Sequence, residues 1–146
     1  MGEGIEVREL GRGDTRLAFE AMASLRGLKS EASFVARVDD VQRPEGYRLV
    51  GSFEEGGDAC VAVAGFRVAH NLAWGKFLYV DDLSTLEARR GRGHAGALMG
   101  WLSAEAERLG CDQLHLDSGT ERHAAHRFYL GRGMRITSFH FRLDPG

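Results

Sequence analysis

The residues best suited to chemistry lie in the second half of the chain. The run Arg89-Arg90-Gly91-Arg92-Gly93-His94-Ala95-Gly96 sets glycines and arginines directly before a strongly amphipathic segment. Amides at a helix N-terminus have no intrahelical acceptor and point outward. The helix dipole favours anions there, by ~0.3–1 kcal/mol near the surface and up to ~2 kcal/mol when partly buried. Glycines remove the Cβ atoms that would hold a phosphate off the backbone, and Arg90 and Arg92 add charged donors. The chemistry this pattern implies is the grip of a phosphate. Upstream, Asp81 and Asp82 end an apolar run and are candidate proton acceptors. His115 and Asp117 share one face of a later strand, and an imidazole starts near the pKa that a base needs.

Several phosphate ligands compete for the loop. Gly91-x-Gly93-x-x-Gly96 spells the dinucleotide-binding fingerprint. That motif follows its strand at a tight turn and opens a doubly wound domain. Here Ser84–Arg90 separates the strand from the first glycine, and the loop comes past the middle of a short chain, so the context argues against it. No Gly-Lys-Ser/Thr follows, so the loop is not a P-loop. An Arg/Gly-rich loop also fits a solvated turn or a nucleic-acid contact. The formal net charge of −2 gives a polyanion-binding role no support.

The elements that must position these residues follow from hydrophobic periodicity. Ile5–Glu9 alternates as a strand. Asp14 is placed to cap a helix over Thr15–Arg26, and Ser30 to cap another over Glu31–Val41. Pro44 and Gly46 end the second. Tyr47–Phe53, Ala59–Ala69 and Lys76–Leu83 read as strands. Ala95–Leu109 is the clearest helix, with Leu98, Leu102, Ala106 and Leu109 on one face, and Gly110 stops it. Leu114–Asp117 is a short strand, Arg122–Leu130 a helix, and Met134–Leu143 a final strand anchored by Ile136, Phe139 and Phe141. The order β-α-α-β-β-β-α-β-α-β is that of a mixed α/β domain of the α+β type.

Length and composition bound the rest. The 146 residues predict a single domain over 1–146. Apolar residues at 43% and charged residues at 27% are ordinary for a globular protein. Cys60 and Cys111 form no Cys-x-x-Cys pair and read as reduced thiols. The histidines show no His-x-x-x-His pattern, and a zinc site from His123 and His126, three apart, would need carboxylate partners, so no metal is expected. The N-terminus carries glutamates rather than an apolar signal, and no run approaches a membrane span. The expectation is a cytoplasmic protein with no nucleic-acid and no membrane partner.

Two blocks resemble the GNAT superfamily of N-acetyltransferases. Asp82-Leu83-Ser84-Thr85 precedes Arg90-x-x-Gly93-x-Ala95 at the family's spacing, and the latter fits its Gln/Arg-x-x-Gly-x-Gly/Ala fingerprint. Downstream, Ala125-His126-Arg127-Phe128-Tyr129 and then Gly133-Met134 are similar to the family's Ala-x-x-Phe-Tyr … Gly-Phe block. The resemblance covers about Lys76–Leu143. It implies the acyl-CoA N-acyltransferase fold, with a splayed central sheet flanked by helices and pantetheine in the gap between the strands at Lys76–Thr85 and Leu114–Asp117. It implies acetyl-CoA as cosubstrate and an amine of a small molecule or protein as acceptor, with a homodimer as a common arrangement. Backbone groups of Leu83, Ser84 and Thr85 would bond the pantetheine arm. The amides of Arg90, Gly91, Arg92, Gly93, His94 and Ala95 would hold the pyrophosphate, and one amide near Leu83 would polarise the thioester carbonyl.

Acetyl transfer needs a neutral amine, a polarised carbonyl and a protonated leaving thiolate. An ammonium of pKa near 10.4 is neutral in only about one molecule in ~2,500 at pH 7. A positioned base supplies ~10²–10⁴ in rate. By offset from the loop Asp81 is the first candidate and Asp82 the second, with His115 and Asp117 a third option. Spacing alone makes Tyr129 a core aromatic beside Phe128. Its match to the family's Phe-Tyr position makes it the acid that protonates the leaving sulfur. Two positions depart from the pattern: His94 replaces a frequent aliphatic, and Arg122 replaces a frequent pantetheine-binding asparagine. The other reading is a non-catalytic acyl-CoA-binding regulatory module. Phe34, Trp74, Tyr79 and His140 are candidates to line an acceptor pocket.

Overall fold

The computed structural model of the chain describes residues 4–146. They form two compact units, one running to His115 and the other Leu116–Gly146. The first contains β1 (Ile5–Leu10), α1 (Phe19–Arg26), α2 (Glu31–Ala36), β2 (Arg48–Glu54), β3 (Cys60–Asn71), β4 (Gly75–Thr85) and α3 (His94–Arg108). The strand β5 (Gln113–Leu116) ends at the boundary, and α4 (His123–Gly131) belongs to the second unit.

The sheet has the order β1-β2-β3-β4-β5, and β1 through β4 form an antiparallel meander. The entry to β5 is fixed where Asp112 N donates to Lys76 O at 2.7 Å and Lys76 N donates to Asp112 Oδ2 at 3.1 Å. β5 thus begins beside the start of β4, and it can pair with β4 only by running in the same direction, which the crossover through α3 provides. A strand of 4 residues cannot cover one of 11. The last part of β4, where Asp81–Thr85 lie, has β3 on one side, and no strand among the described residues of the first unit pairs with its other side. This is the splayed sheet that the sequence resemblance implied.

Alternation decides which side chains meet which helices. Leu49, Phe53 and Val63 pack in one cluster with Ala18, Ala21, Met22, Phe34 and Val38. Their strand neighbours face α3: Ser52 bonds His94, Arg48 bonds Glu105, and Phe66 meets Trp101 edge-on at 5.8 Å. Leu98 and Leu102 of α3 are fully buried. With both faces covered, β2 and β3 read as nearly continuous apolar runs.

Three expectations change. The first helix begins as a 3-10 turn over Arg12–Ala18 whose N-cap is Gly11, and no side chain caps it, so Asp14 is not a cap. Thr15 is instead drawn into the core, where its hydroxyl donates to Asp39 Oδ1 at 2.7 Å. The second helix is capped by Ser30 as expected but leaves α geometry after Ala36, widening into a π turn over Arg37–Gln42 and tightening again over Arg43–Glu45. Gly46, at φ +100°, ends it. The final strand over Met134–Leu143 does not form, and Ile136, Phe139, Phe141 and Leu143 are between 76% and 89% exposed. Alternation makes a strand only where an edge accepts its backbone bonds, and the second unit described by itself offers α4 and no sheet edge.

Behind α3, Glu105 is buried and accepts from Arg108 Nη2 at 2.6 Å and Arg48 Nη2 at 2.7 Å. The bond from Arg108, and then Arg48, pulls its carboxyl from the ordinary 4.5 down to about 2. A folded-state pKa below the unfolded one adds stability that is complete above about pH 4.5 and is lost as pH falls through about 2. Glu105→Gln is expected to flatten that acid limb in chemical denaturation run at successive pH values. Identical limbs in both proteins would remove Glu105 as its source.

Candidate active site

One irregularity in β4 builds the polar half of the site. Along the β3–β4 ladder Gly65 faces Asp82 but the next residue, Phe66, faces Val80, so Asp81 is an extra residue on β4. Such a bulge bends the strand and re-aims its side chains. In a regular strand Asp81 and Asp82 would face opposite sides of the sheet. Here both reach one cavity of about 350 Å³. Arg26, at the end of α1, spans the pair: Nε donates to Asp82 Oδ1 at 2.8 Å and Nη2 to the carbonyl of Asp81 at 2.8 Å. It thereby bonds the carbonyl of the bulged residue. Arg67 on β3 takes both oxygens of Asp81 through Nε and Nη2 at 2.7 Å.

The floor of the cavity is Tyr47, only 3% exposed, whose hydroxyl donates to Asp82 Oδ2 at 2.6 Å. Burial, reinforced by the neighbouring Asp82, pushes its phenol far above the ordinary value, so it stays protonated. Tyr47 reaches Asp82 because Gly65 has no side chain, since a Cβ there would overlap the Tyr47 ring. The widened turn after α2 brings Gln42 and Glu45 to the rim. Of these residues, sequence reasoning identified only the two aspartates. Arg26, Gln42, Glu45, Tyr47 and Arg67 carry no motif, and the sole hint was a glycine inside an apolar strand, which marks a bulge or a close approach.

At its far end β4 leads to the glycine loop. Ser84 and Thr85 belong to the strand, and Glu87–Arg89 form a 3-10 turn. Gly91 and Gly93 have φ of +79° and +95°, in the left-handed region that other residues avoid. Gly93 is the N-cap of α3 and no side chain caps the helix. The first helical bond runs from Ala97 N to Gly93 O, so the amides ahead of Ala97 have no helical carbonyl to bond. An uncapped helix start, a turn without Cβ atoms and an open strand edge fit a diphosphate with an extended arm.

The loop's side chains are tied back by Glu54, whose Oε2 lies 3.3 Å from Arg89 Nε and 3.2 Å from Arg92 Nη1. Partial desolvation works against ionisation there, but Arg89, Arg92 and His94 hold the carboxyl below its usual value. The ring of His94 is buried, with Nδ1 2.7 Å from Ser52 Oγ, so it is part of the core and only its backbone belongs to the loop. Arg90 Nε lies 3.4 Å from the carbonyl of Thr85.

The other candidates are dispersed. The ring of His115 stacks on Trp74 at 3.5 Å, beside Phe77, and does not line the cavity. Phe34 is in the core, Tyr79 lies under the Arg67 guanidinium, and His140 Nδ1 is 3.6 Å from Asp117 in the second unit, so none of the four expected acceptor residues lines the cavity. Tyr129 also belongs to the second unit, where it is buried on α4 with Phe128 edge-on at 5.5 Å. Burial raises its phenol above the ordinary value near 10, against the opposing pull of a hydrogen bond with Arg122.

A model of the acetyltransferase (GNAT) family matches residues 16–134. The chain belongs to that family. It is an N-acetyltransferase, an acyltransferase enzyme that binds acyl-CoA and acts on an amine. It is 29% identical over 126 residues to an uncharacterized N-acetyltransferase, YhdJ, of Bacillus subtilis, a match covering 86% of this chain and 87% of that protein. It is 32% identical over 62 residues to an aminoalkylphosphonate N-acetyltransferase of Salmonella typhimurium, covering 42% of this chain and 40% of that protein. Its fold is similar to that of aminoglycoside N-acetyltransferase AAC(6')-Iy in complex with CoA, with a TM-score of 0.84 at 13% identity, over 99% of this chain and 97% of that one.

Two variants test the two halves of the site. Gly93→Val puts a β-branched residue at φ +95° and is expected to abolish acetyl-CoA binding in calorimetry while circular dichroism shows a folded protein. Gly65→Ala pushes Tyr47 off Asp82 and is expected to lower stability by ~1–3 kcal/mol in urea titration through overpacking. Wild-type stability would show that the Tyr47 ring yields freely.

Proposed function

We propose that this enzyme transfers the acetyl group of acetyl-CoA directly to the primary amine of a small molecule, in a ternary complex. The observation that carries the reading is the arrangement along β4: a bulge turns two carboxylates into a polar cavity, and the strand then runs through Leu83–Thr85 to the glycine loop and the uncapped helix that starts at His94. Backbone groups of Leu83, Ser84 and Thr85 hold the pantetheine arm. The amides of residues 91–95 hold the pyrophosphate, that of Arg90 being bonded to the Glu87 carbonyl, with the side chains of Arg89 and Arg92 kept aside by Glu54.

Asp82 is the better base. Both oxygens of Asp81 are taken by the charged Arg67 fork, whereas Asp82, the less exposed of the two, meets a guanidinium on one oxygen only, Arg26 on Oδ1, and the neutral Tyr47 hydroxyl on the other. Asp82 accepts the amine proton, directly or through water, and an amide near Leu83 polarises the thioester carbonyl. The amine nitrogen then bonds the carbonyl carbon as the carbon–sulfur bond breaks, the departing sulfur takes the hydroxyl proton of Tyr129, and the second proton shed by the new amide nitrogen restores the phenol while Asp82 releases the first to solvent. A phenol kept protonated by burial suits that role.

Direct transfer is supported by the cysteines. Cys60 is buried and its thiol is pushed up to about 11 by burial, and Cys111 precedes β5, away from its C-terminal end. Neither is a ready nucleophile. A small-molecule acceptor is supported by the modest cavity and by the aminoalkylphosphonate acetyltransferase among the relatives. The family model runs through both compact units, which supports one catalytic domain over residues 1–146. Among the described residues no helix is long and apolar enough to cross a membrane. No observation favours a non-catalytic binding module.

Asp82→Asn and Tyr129→Phe are each expected to lower kcat by about 10² or more, with the Kd for acetyl-CoA within about twofold of wild type. Thiol release and calorimetry measure the two quantities. Unchanged turnover in either variant would remove that residue from the proton transfers.

A further inference from the structure

The acceptor cavity has an unusual lining. Apart from Tyr47 and Gln42 every residue on it is charged, and both signs are present: Arg26 and Arg67 against Glu45, Asp81 and Asp82. The signs are interleaved, because each guanidinium is bonded to an aspartate. At about 350 Å³ the cavity is near the small end of ligand sites, which run from ~300 to ~1,000 Å³.

Arg26 commits Nε to the Asp82 carboxylate and Nη2 to the Asp81 carbonyl, Arg67 commits Nε and Nη2 to the Asp81 carboxylate, and Nη1 of both has no hydrogen-bond partner among the described residues. Their side chains remain 49% and 45% exposed, whereas Asp82 and Asp81 are 14% and 23% exposed. The carboxylates therefore lie deeper and the guanidiniums nearer the mouth. This arrangement selects by charge. An apolar amine would desolvate five charged groups and answer none of them. A diamine would place its second ammonium among two guanidiniums. An amine with an acidic group a few bonds away satisfies both layers, with its nitrogen towards Asp81 and Asp82 and its acid on the guanidinium edges, where charge-assisted bonds are strong.

We infer that the acceptor is a small zwitterionic amine, one that carries a carboxylate, phosphonate or similar acidic group besides the nitrogen that is acetylated. This rests on the acetyl-transfer reading above. The reaction balances as an ammonium and a thioester going to an amide and a thiol, with one proton released through the base.

The test is thiol release from acetyl-CoA by the full chain with amines matched in size. β-Alanine and aminoethylphosphonic acid carry an acid, propanolamine carries none, and diaminopropane carries a second amine. A tripeptide with a free N-terminus represents protein acceptors. The expected result is a kcat/KM for an acid-bearing amine at least tenfold above those for propanolamine, diaminopropane and the tripeptide. Arg67→Gln and, separately, Arg26→Gln should raise KM for the acid-bearing amine at least tenfold more than for propanolamine, and Arg67→Lys should recover part of the loss. Circular dichroism checks that each variant is folded.

If propanolamine, diaminopropane or the tripeptide matches or exceeds the acid-bearing amines, the acceptor class is overturned while acetyl transfer stands. The same holds if both arginine variants weaken all amines equally. If no amine releases thiol although calorimetry shows acetyl-CoA bound, the acetyl-transfer reading fails and takes this inference with it.

Discussion

The site depends on one extra residue in β4. Inserting Asp81 against a single partner on β3 breaks the alternation that would otherwise send Asp81 and Asp82 to opposite faces. Bulges leave backbone groups short of partners, and unbonded buried carbonyls are costly. Arg26 bonds the Asp81 carbonyl and the Asp82 carboxylate with one guanidinium. Gly65 lies across the ladder and admits the Tyr47 ring, whose hydroxyl bonds the other oxygen of Asp82. Removing any of these parts would leave another with an unmet polar group or a steric conflict, so they hold as a unit.

The two halves of the candidate site present their hydrogen-bond donors in physically distinct ways. At the start of α3 the donors are backbone amides, fixed by left-handed glycines, with no side chain capping the helix. The arginines nearby neutralise Glu54. Backbone donors lose little conformational entropy on binding and suit a ligand that is always the same. In the cavity beside Asp81 and Asp82 the donors are guanidiniums on long side chains from α1 and β3. A TM-score of 0.84 at 13% identity shows that the fold itself is kept while most side chains differ.

Both faces of the sheet take part in this division. The face towards α1 and α2 carries the cluster around Phe53 and Val63, and these helices bring Arg26, Gln42 and Glu45 to the cavity. The opposite face, packed on α3, anchors the glycine loop through Ser52 and His94. His94 appeared in the sequence as an oddity among the loop residues. Buried and bonded to β2, it pins the helix start whose amides face outward.

The sequence by itself determined the element order as far as α4, the glycine loop at an uncapped helix start, and the membership that the Arg90–Ala95 and Ala125–Tyr129 blocks carry. These are local properties: periodicity, glycine placement and residue spacing are set within a few residues of one another. It also indicated that Asp81 and Asp82 matter, but not that both face one cavity, because a bulge is defined by the partner strand. Nor could it place Arg26, Tyr47 and Arg67 beside them, since those contacts join residues 14 to 56 positions apart. The same limit explains the one element that failed. Met134–Leu143 alternates as a strand should, yet it lies exposed, because an alternating segment becomes a strand only where another strand's backbone is there to bond it.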